Sequence, residues 1–314
     1  MIKIDLITGF LGSGKTTFIK KYARYLMKQG LNIGILENDL GPVNIDMMLL
    51  HDLEGDNCEL EMVSGGCDKD CYRRRFRTKL IAMGMSGYDR VLIEPSGVFD
   101  VDDFFDALYE EPLDRWYQIG NVITIADAAL AQNLSPQADY VLASEAASAG
   151  SVILSRCQEA SEEEISNTIA HLNRALREIH CERTLKDEVI TKNWEDFTDE
   201  DFEKIFSCGY TAATYEKMEL DETSVFDSLY FMNQPVTEEK LCTEAERIFS
   251  DPECGSVWRI KGFVRKDKNQ WVEINAARHK TTVNQMEVGQ EVVIVIGENL
   301  NRSVIEKYLN ITDK

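Results

Sequence analysis

Residues 9–16 read Gly-Phe-Leu-Gly-Ser-Gly-Lys-Thr, a G-x-x-x-x-G-K-T pattern set directly behind an apolar run that opens the chain. At average composition this pattern arises by chance in about one chain of this length in a hundred. Its surroundings narrow the fold at once. Ile2, Ile4, Leu6 and Ile7 predict a buried strand, and Phe18, Ile19, Tyr22, Ala23 and Leu26 form a helical stripe that Gly30 ends. A strand, a glycine loop and a helix in that order make a phosphate cradle. Gly9, Gly12 and Gly14 let successive N–H groups curl toward a phosphate, at the positive end of the helix. Lys15 can reach the β- and γ-phosphates, and the Thr16 hydroxyl can ligate Mg²⁺. Ser13 and Thr17 are the remaining polar groups of the loop, and the predicted ligand is a nucleoside triphosphate.

Composition bounds the rest. The 314 residues allow two domains, and 44% hydrophobic with 28% charged residues is ordinary for a soluble globular protein. No stretch approaches the length of a membrane-spanning helix, and the N-terminus reads as a strand, not a signal peptide. A net charge of −21 argues against nucleic acid or an anionic membrane as partner. Eight scattered cysteines point to thiols in a reducing cytoplasm.

Short apolar runs at 32–37, 90–94, 121–126 and 151–154 suit parallel strands covered on both faces, with 188–191 as one more. Helical patterns fall at 72–85, 99–110, 135–148 and 161–181. The fold expected is α/β, a doubly wound and mainly parallel P-loop sheet over 1–215. A smaller α+β domain is expected over 222–314. It should hold a strand at 224–232, a helix at 237–249 capped by Thr237, strands at 256–265, 270–276, 281–287 and 291–297, and a last helix near 301–310.

Two acidic segments follow strand ends, where ligands of open parallel sheets sit. Glu37-Asn38-Asp39-Leu40-Gly41-Pro42-Val43-Asn44-Ile45-Asp46 places three carboxylates in one loop, which could hold Mg²⁺, close over a γ-phosphate, or be an ordinary acidic loop. Val91-Leu92-Ile93-Glu94-Pro95-Ser96-Gly97 ends an apolar strand in a carboxylate. Glu94 would face the metal or the attacking water, and the Gly97 N–H would sense the γ-phosphate. Candidate catalytic residues are therefore Lys15, Glu94 and Asp39, and candidate Mg²⁺ ligands are Thr16, Asp39, Asp46 and Glu94. Between the segments lies Ser64-Gly65-Gly66-Cys67-Asp68-Lys69-Asp70-Cys71. A helix starting near Asp68 would bring Cys67 and Cys71 to one face, and its N-terminus favours thiolates. With a carboxylate such as Glu37 they would suit Zn²⁺ or a related ion. On spacing alone, one capping and one semi-buried cysteine is the plainer reading. Arg73, Arg74, Arg75 and Arg77 read as a solvated helix face, and His51, His171, His180 and His279 as isolated structural histidines.

The order GFLGSGKTT, ENDLGPVNID, SGGC, VLIEPSG and a distal WRIKGFV resembles the CobW-like (cobalamin synthesis protein W) branch of the SIMIBI P-loop GTPases, relatives of the hydrogenase and urease nickel chaperones. The resemblance covers nearly the whole chain. It implies a Mg²⁺-dependent GTPase acting as a metallochaperone or metal-insertion factor, with zinc or cobalt as cargo and a client metalloprotein or cofactor-assembly protein as partner. The fold class also implies a nucleotide-dependent homodimer. Two departures stand out. The family's C-x-C-C becomes Cys67-Asp68-Lys69-Asp70-Cys71, with one thiol lost and the spacing stretched. Its N-K-x-D base-reading element becomes Ser155-Arg156-Cys157-Gln158, where Gln158 cannot accept two N–H bonds as a carboxylate does. GTP is favoured, with ATP as the alternative. The main rival function is a nucleotide-gated protein that docks on and activates a metalloenzyme or corrinoid protein without carrying metal. A P-loop kinase for a small acceptor lacks any acceptor signature.

Overall fold

Strand β1 (Ile2–Gly9) is buried from Ile4 onward and runs through the middle of a seven-stranded sheet, so the glycine loop leaves from the centre of the molecule's first unit. The computed structural model divides into two compact units, Met1–Glu219 and Leu220–Lys314. It describes residues 1–10, 12–39, 45–64, 69–95, 101–218, 227–267, 270–277, 280–286 and 289–311.

In the first unit the strands are β2 (Ile33–Asp39), β3 (Cys58–Ser64), β4 (Arg90–Glu94), β5 (Tyr117–Asp127), β6 (Ser151–Ser155) and β7 (Val189–Ile190). Their order across the sheet is β3-β2-β4-β1-β5-β6-β7, and every pairing is parallel. The helices are α1 (Lys15–Lys28), α2 (Ile45–Leu50), α3 (Lys69–Gly84), α4 (Val101–Leu108), α5 (Leu113–Trp116), α6 (Pro136–Ser148), α7 (Glu162–Glu178) and α8 (Asp199–Phe206).

Two-residue alternation assigns the faces. Ile7, Ile123 and Ile125 point into one core with Phe18, Ile19, Tyr22, Ala23 and Leu26 of α1, Leu50 of α2 and Ile205 of α8. Thr8 and Thr124 point the other way, toward α6, and their hydroxyls lie 2.8 Å apart. The Thr124 hydroxyl also donates to the Glu145 carbonyl of α6 at 3.0 Å. Helix α6 starts under control of Ser135, whose hydroxyl accepts the Ala138 N–H, with Pro136 in its first turn. It is buried from Tyr140 to Ser148, so it belongs to the interior of the layered structure. Helix α7 opens with a capping box between Ser161 and Glu164, and Glu162 to Glu164 lie in its first turn, where carboxylates complement the macrodipole.

One ion pair sits inside this unit. Arg90 at the start of β4 donates to Asp5 of β1 at 2.6 Å, with the two side chains 3% and 0% exposed. The Tyr22 hydroxyl donates to the same carboxylate at 2.9 Å, and the Arg90 guanidinium lies 4.1 Å from the centre of the Phe206 ring. The pair ties the two central strands in register.

The second unit is an antiparallel sheet of order β11-β10-β9-β12-β8. Its strands are β8 (Asp227–Met232), β9 (Ser256–Asp267), β10 (Gln270–Ala277), β11 (Lys280–Met286) and β12 (Val292–Glu298). Helices Glu238–Ser250 and Arg302–Leu309 supply Leu241, Ala245, Ile248, Ile305 and Leu309 to its core. The Thr237 hydroxyl accepts the Lys240 N–H at the first helix's start. The segment Trp258–Phe263 lies within β9. Among the described residues no helix is long and apolar enough to cross a membrane.

Candidate functional site: the phosphate loop and its surroundings

The loop between β1 and α1 is shaped by its glycines. Gly9 has φ +139°, and a Cβ there would lie 2.2 Å from the Ile125 carbonyl oxygen of β5, so only glycine lets the chain turn this close to its neighbour strand. Gly14, at φ +108°, occupies the left-handed N-cap of α1. The Ser13 N–H donates to the Phe10 carbonyl at 2.9 Å, closing the turn. Leu11 lies outside the described residues. Thr17 is exposed on the first turn of α1.

Lys15 and Thr16 are buried, and both reach the end of β4. The Lys15 ammonium donates to the Gly9 carbonyl at 3.0 Å and lies 3.7 Å from Glu94. The Thr16 hydroxyl donates to Glu94 at 3.3 Å. Glu94 is paired in register with Glu37 at the corresponding position of β2, so the two carboxylates share a face, and each is at most 5% exposed. The oxygen donors brought together at Thr16 and Glu94, a hydroxyl and a carboxylate, suit a hard cation such as Mg²⁺.

Cys67 and Gly97, and the side chains of Asp39 and Asp46, fall outside the described residues. Cys71 is half-buried, three residues into α3. Among the described residues no group of three or more His, Cys, Asp or Glu is arranged to hold a metal. Of the arginines of α3, expected as a solvated face, Arg73, Arg74 and Arg75 are exposed, and some of the set also find intramolecular partners. Arg73 and Arg77 both donate to Glu110 at 2.8 Å, fastening α3 to the segment after α4. His171 is buried against Asp139 at 2.6 Å, whereas His51 and His180 are exposed beside Glu54 and Glu216. His279 lies outside the described residues.

The end of β6 forms a second wall. Arg156, in the left-handed region at φ +58°, donates through Nε to Asp127 at 3.1 Å and lies 3.5 Å from the Gly12 carbonyl of the loop. Ser155 is buried, and Gln158 is exposed. The guanidinium is therefore already committed to Asp127 and the loop.

Three residues of this region escaped the sequence reading. Asp127 ends β5 and holds Arg156. Trp194 donates from its indole N–H to the Leu154 carbonyl at 2.9 Å, and its ring lies 3.3 Å from where a Gly14 Cβ would stand. Glu145 of α6 is wholly buried, and neither oxygen has a hydrogen-bond partner among the described residues. Burial pushes its carboxyl up to about 8, against the pull of the Lys15 charge and the Gly9 N–H. A signal existed for Trp194, because it follows the carboxyl end of a predicted parallel strand. None existed for Glu145, which looks like any polar residue of a helix.

A cleft of about 500 Å³ lined by Asn32, His51, Glu54, Cys58, Glu59 and Tyr88 opens at the amino ends of β2 and β3. It lies at the end of the sheet opposite the loop, away from the carboxyl ends where ligands of such sheets bind.

Known proteins share parts of this chain. The zinc chaperone YjiA of Escherichia coli (strain K12) is 27% identical over 183 residues, spanning 55% of each chain. The zinc chaperone YeiR of the same organism is 32% identical over 131 residues, 41% of this chain and 39% of YeiR. The chain thus spans about half or less of the length of these curated relatives. A crystal structure of Zn(II)-bound YjiA GTPase from E. coli superposes with a TM-score of 0.41 at 16% identity, over 100% of this chain and 99% of that one. Residues 3–185, which contain the loop, Glu37, Glu94 and Arg156, match the CobW/HypB/UreG nucleotide-binding domain, and the chain belongs to that family.

Proposed function

We propose that this protein is a Mg²⁺-dependent P-loop GTPase that carries or inserts a metal ion for a client metalloprotein or cofactor-assembly protein. The observation that carries the reading is the convergence of Lys15, Thr16 and Glu94 at the mouth of the glycine loop. Lys15, held on the Gly9 carbonyl, is within a side-chain swing of the phosphates that the loop amides would bind. Thr16 and Glu94 are the proposed Mg²⁺ ligands, directly or through water, with Asp39 and Asp46 as further candidates. Bound magnesium supplies neutralising charge for the β- and γ-phosphate oxygens. Glu94 is also the residue proposed to orient the attacking water, and the Gly97 N–H to contact the γ-phosphate. Gly9, Gly12, Ser13, Gly14 and Thr17 belong to the nucleotide cradle, and Ser155, Arg156 and Gln158 to the base end.

GTP is the proposed nucleotide on family grounds, with ATP tolerated because Gln158 lacks the paired acceptance of a carboxylate. Zinc is the proposed cargo, as YjiA and YeiR are zinc chaperones. Cobalt follows only from the CobW resemblance. Cys67, Cys71 and Glu37 are the proposed cargo ligands, and the cytoplasm is the proposed location, supported by the scattered cysteines. A nucleotide-bound homodimer is the proposed assembly.

The test is calorimetric titration of a non-hydrolysable GTP analogue with Mg²⁺, and of Zn²⁺ and Co²⁺, into the reduced protein. Lys15→Ala is expected to abolish nucleotide binding, and retained binding refutes the loop assignment. Zinc uptake that shifts with nucleotide and vanishes in Cys67→Ala/Cys71→Ala is expected of a carrier. Nucleotide binding with no cysteine-dependent uptake replaces the carrier reading with a docking switch.

A further inference from the structure

Behind the phosphate loop lies a polar group that the nucleotide chemistry described so far does not use. Glu145 sits on the buried stretch of α6, on the sheet face opposite α1, beside the Thr8–Thr124 pair that ends beneath Gly9. It is 0% exposed, and neither carboxylate oxygen has a hydrogen-bond partner among the described residues. A buried carboxylate in that condition is costly unless it is neutral or paired. The Lys15 ammonium is the charge that acts on it, and the Gly9 N–H also favours its ionised form without closing an ordinary hydrogen bond.

Among the described residues, the other charged groups on the elements around α6 are paired elsewhere or exposed. Asp5 of β1 is held by Arg90, and Asp127 of β5 by Arg156. His171 of α7 is held by Asp139 of α6 itself, and Asp106 of α4 is exposed. Arg183 donates to the Ala146 and Ala147 carbonyls and pairs with Glu188. Glu94, at the end of β4, shares Lys15 from the other side at 3.7 Å.

We propose that Glu145 is a positioning residue for the phosphate loop, and that a nucleoside triphosphate binds when its carboxyl is protonated. Neutral, it leaves the Lys15 charge to the phosphates. Ionised, it draws that charge beneath the loop and sets a negative group behind the anion cradle. The inference rests on the phosphate-loop reading and goes beyond it, since it names which protonation state of the site is competent.

With the carboxyl titrating at about 8, the competent fraction falls from about three quarters at pH 7.5 to about one tenth at pH 9.0, so Kd should rise roughly eightfold. The experiment measures Kd for a fluorescent, non-hydrolysable GTP analogue with Mg²⁺ at both pH values, in the 314-residue chain. A wild-type ratio near eight that drops to about one or two in Glu145→Gln is the expected result, since the amide reproduces the neutral carboxyl. A flat wild-type profile overturns the proposal, as does an unchanged slope in Glu145→Gln or a folded Gln variant that binds at neither pH. Should Glu145→Gln fail to fold, Glu145→Leu, neutral and similar in bulk, is read by the same ratio and the same outcomes. Lys15→Ala separates the two readings. If it binds nucleotide like wild type, the phosphate-loop assignment fails, whereas a slope surviving in the Glu145 variants sinks only the role given to Glu145.

Discussion

Replacing Arg90 by Met would remove one half of the ion pair that joins β1 to β4 and leave the other half sealed in. Asp5 is fully buried, and its remaining donors are the Tyr22 hydroxyl at 2.9 Å and the Asn121 side chain, both neutral. Breaking such a pair costs about 3–5 kcal/mol, because one charge loses its partner while water stays excluded. Asp5→Asn should cost a similar amount, since it strands the guanidinium against Phe206. The double variant Asp5→Asn/Arg90→Met removes both charges, keeps much of the volume, and should fall within about 2 kcal/mol of wild type. The singles would then sum to roughly 6–10 kcal/mol while the double loses far less, a coupling energy of about 4 kcal/mol or more. The assay is amide hydrogen exchange of β1 and β4, which reads the first unit separately from the second. Additive behaviour, with the double variant as unstable as the summed singles, would show that the pair is not what holds these strands. The consequence reaches the site, because Leu6 is registered with Ile93 and the next residue of β4 is Glu94. A slip here would carry Glu94 away from Thr16.

Other perturbations test neighbouring parts. Glu145→Gln should raise the stability of the nucleotide-free protein by about 3 kcal/mol at pH 7, from the gap between 4.5 and the working pH. The folded chain keeps this proton while the unfolded chain has released it, so wild-type stability should fall from about pH 4.5 to about pH 8 and then level off. Denaturant melts across that range check it, and a Gln variant with the same pH slope would contradict it. Gly9→Ala drives a Cβ against the Ile125 carbonyl and should cost at least about 2 kcal/mol; unchanged melting and nucleotide binding would refute the steric argument. Arg156→Ala removes a partly exposed pair worth no more than about 1 kcal/mol of stability. It should nevertheless weaken nucleotide binding several-fold, and calorimetry showing no change would remove Arg156 from the base end.

Much of the architecture was legible in local pattern. The runs at 90–94 and 151–154 coincide with β4 and with β6 less its last residue, because a parallel strand covered on both faces must be apolar throughout. The stripe from Phe18 to Leu26 is the buried face of α1, because a 3.6-residue period leaves no other set of residues for the core. Helix α8 and the turn at Trp194 were not expected. Both are short and amphipathic, and they are stabilised by packing on α1, with Phe202 stacked on Tyr25 and Trp194 edge-on to Phe18. Such contacts join the first helix to residues far along the chain and leave no local trace.

The candidate site divides along the same line. A loop that must bend backbone amides around a phosphate needs glycines, a lysine and a hydroxyl at fixed spacing, so Gly9 to Thr16 were readable from the chain alone. Glu94 was readable too, as a carboxylate ending an apolar strand. Which distant residues surround that loop was decided by sheet order and helix packing. Burial of α6 turned an ordinary glutamate into a carboxyl facing Lys15, and the end of β5 gave Arg156 its partner in Asp127. Spacing along the chain dictates groups whose geometry is local. Burial and long-range charge exist only once the strands have chosen their neighbours.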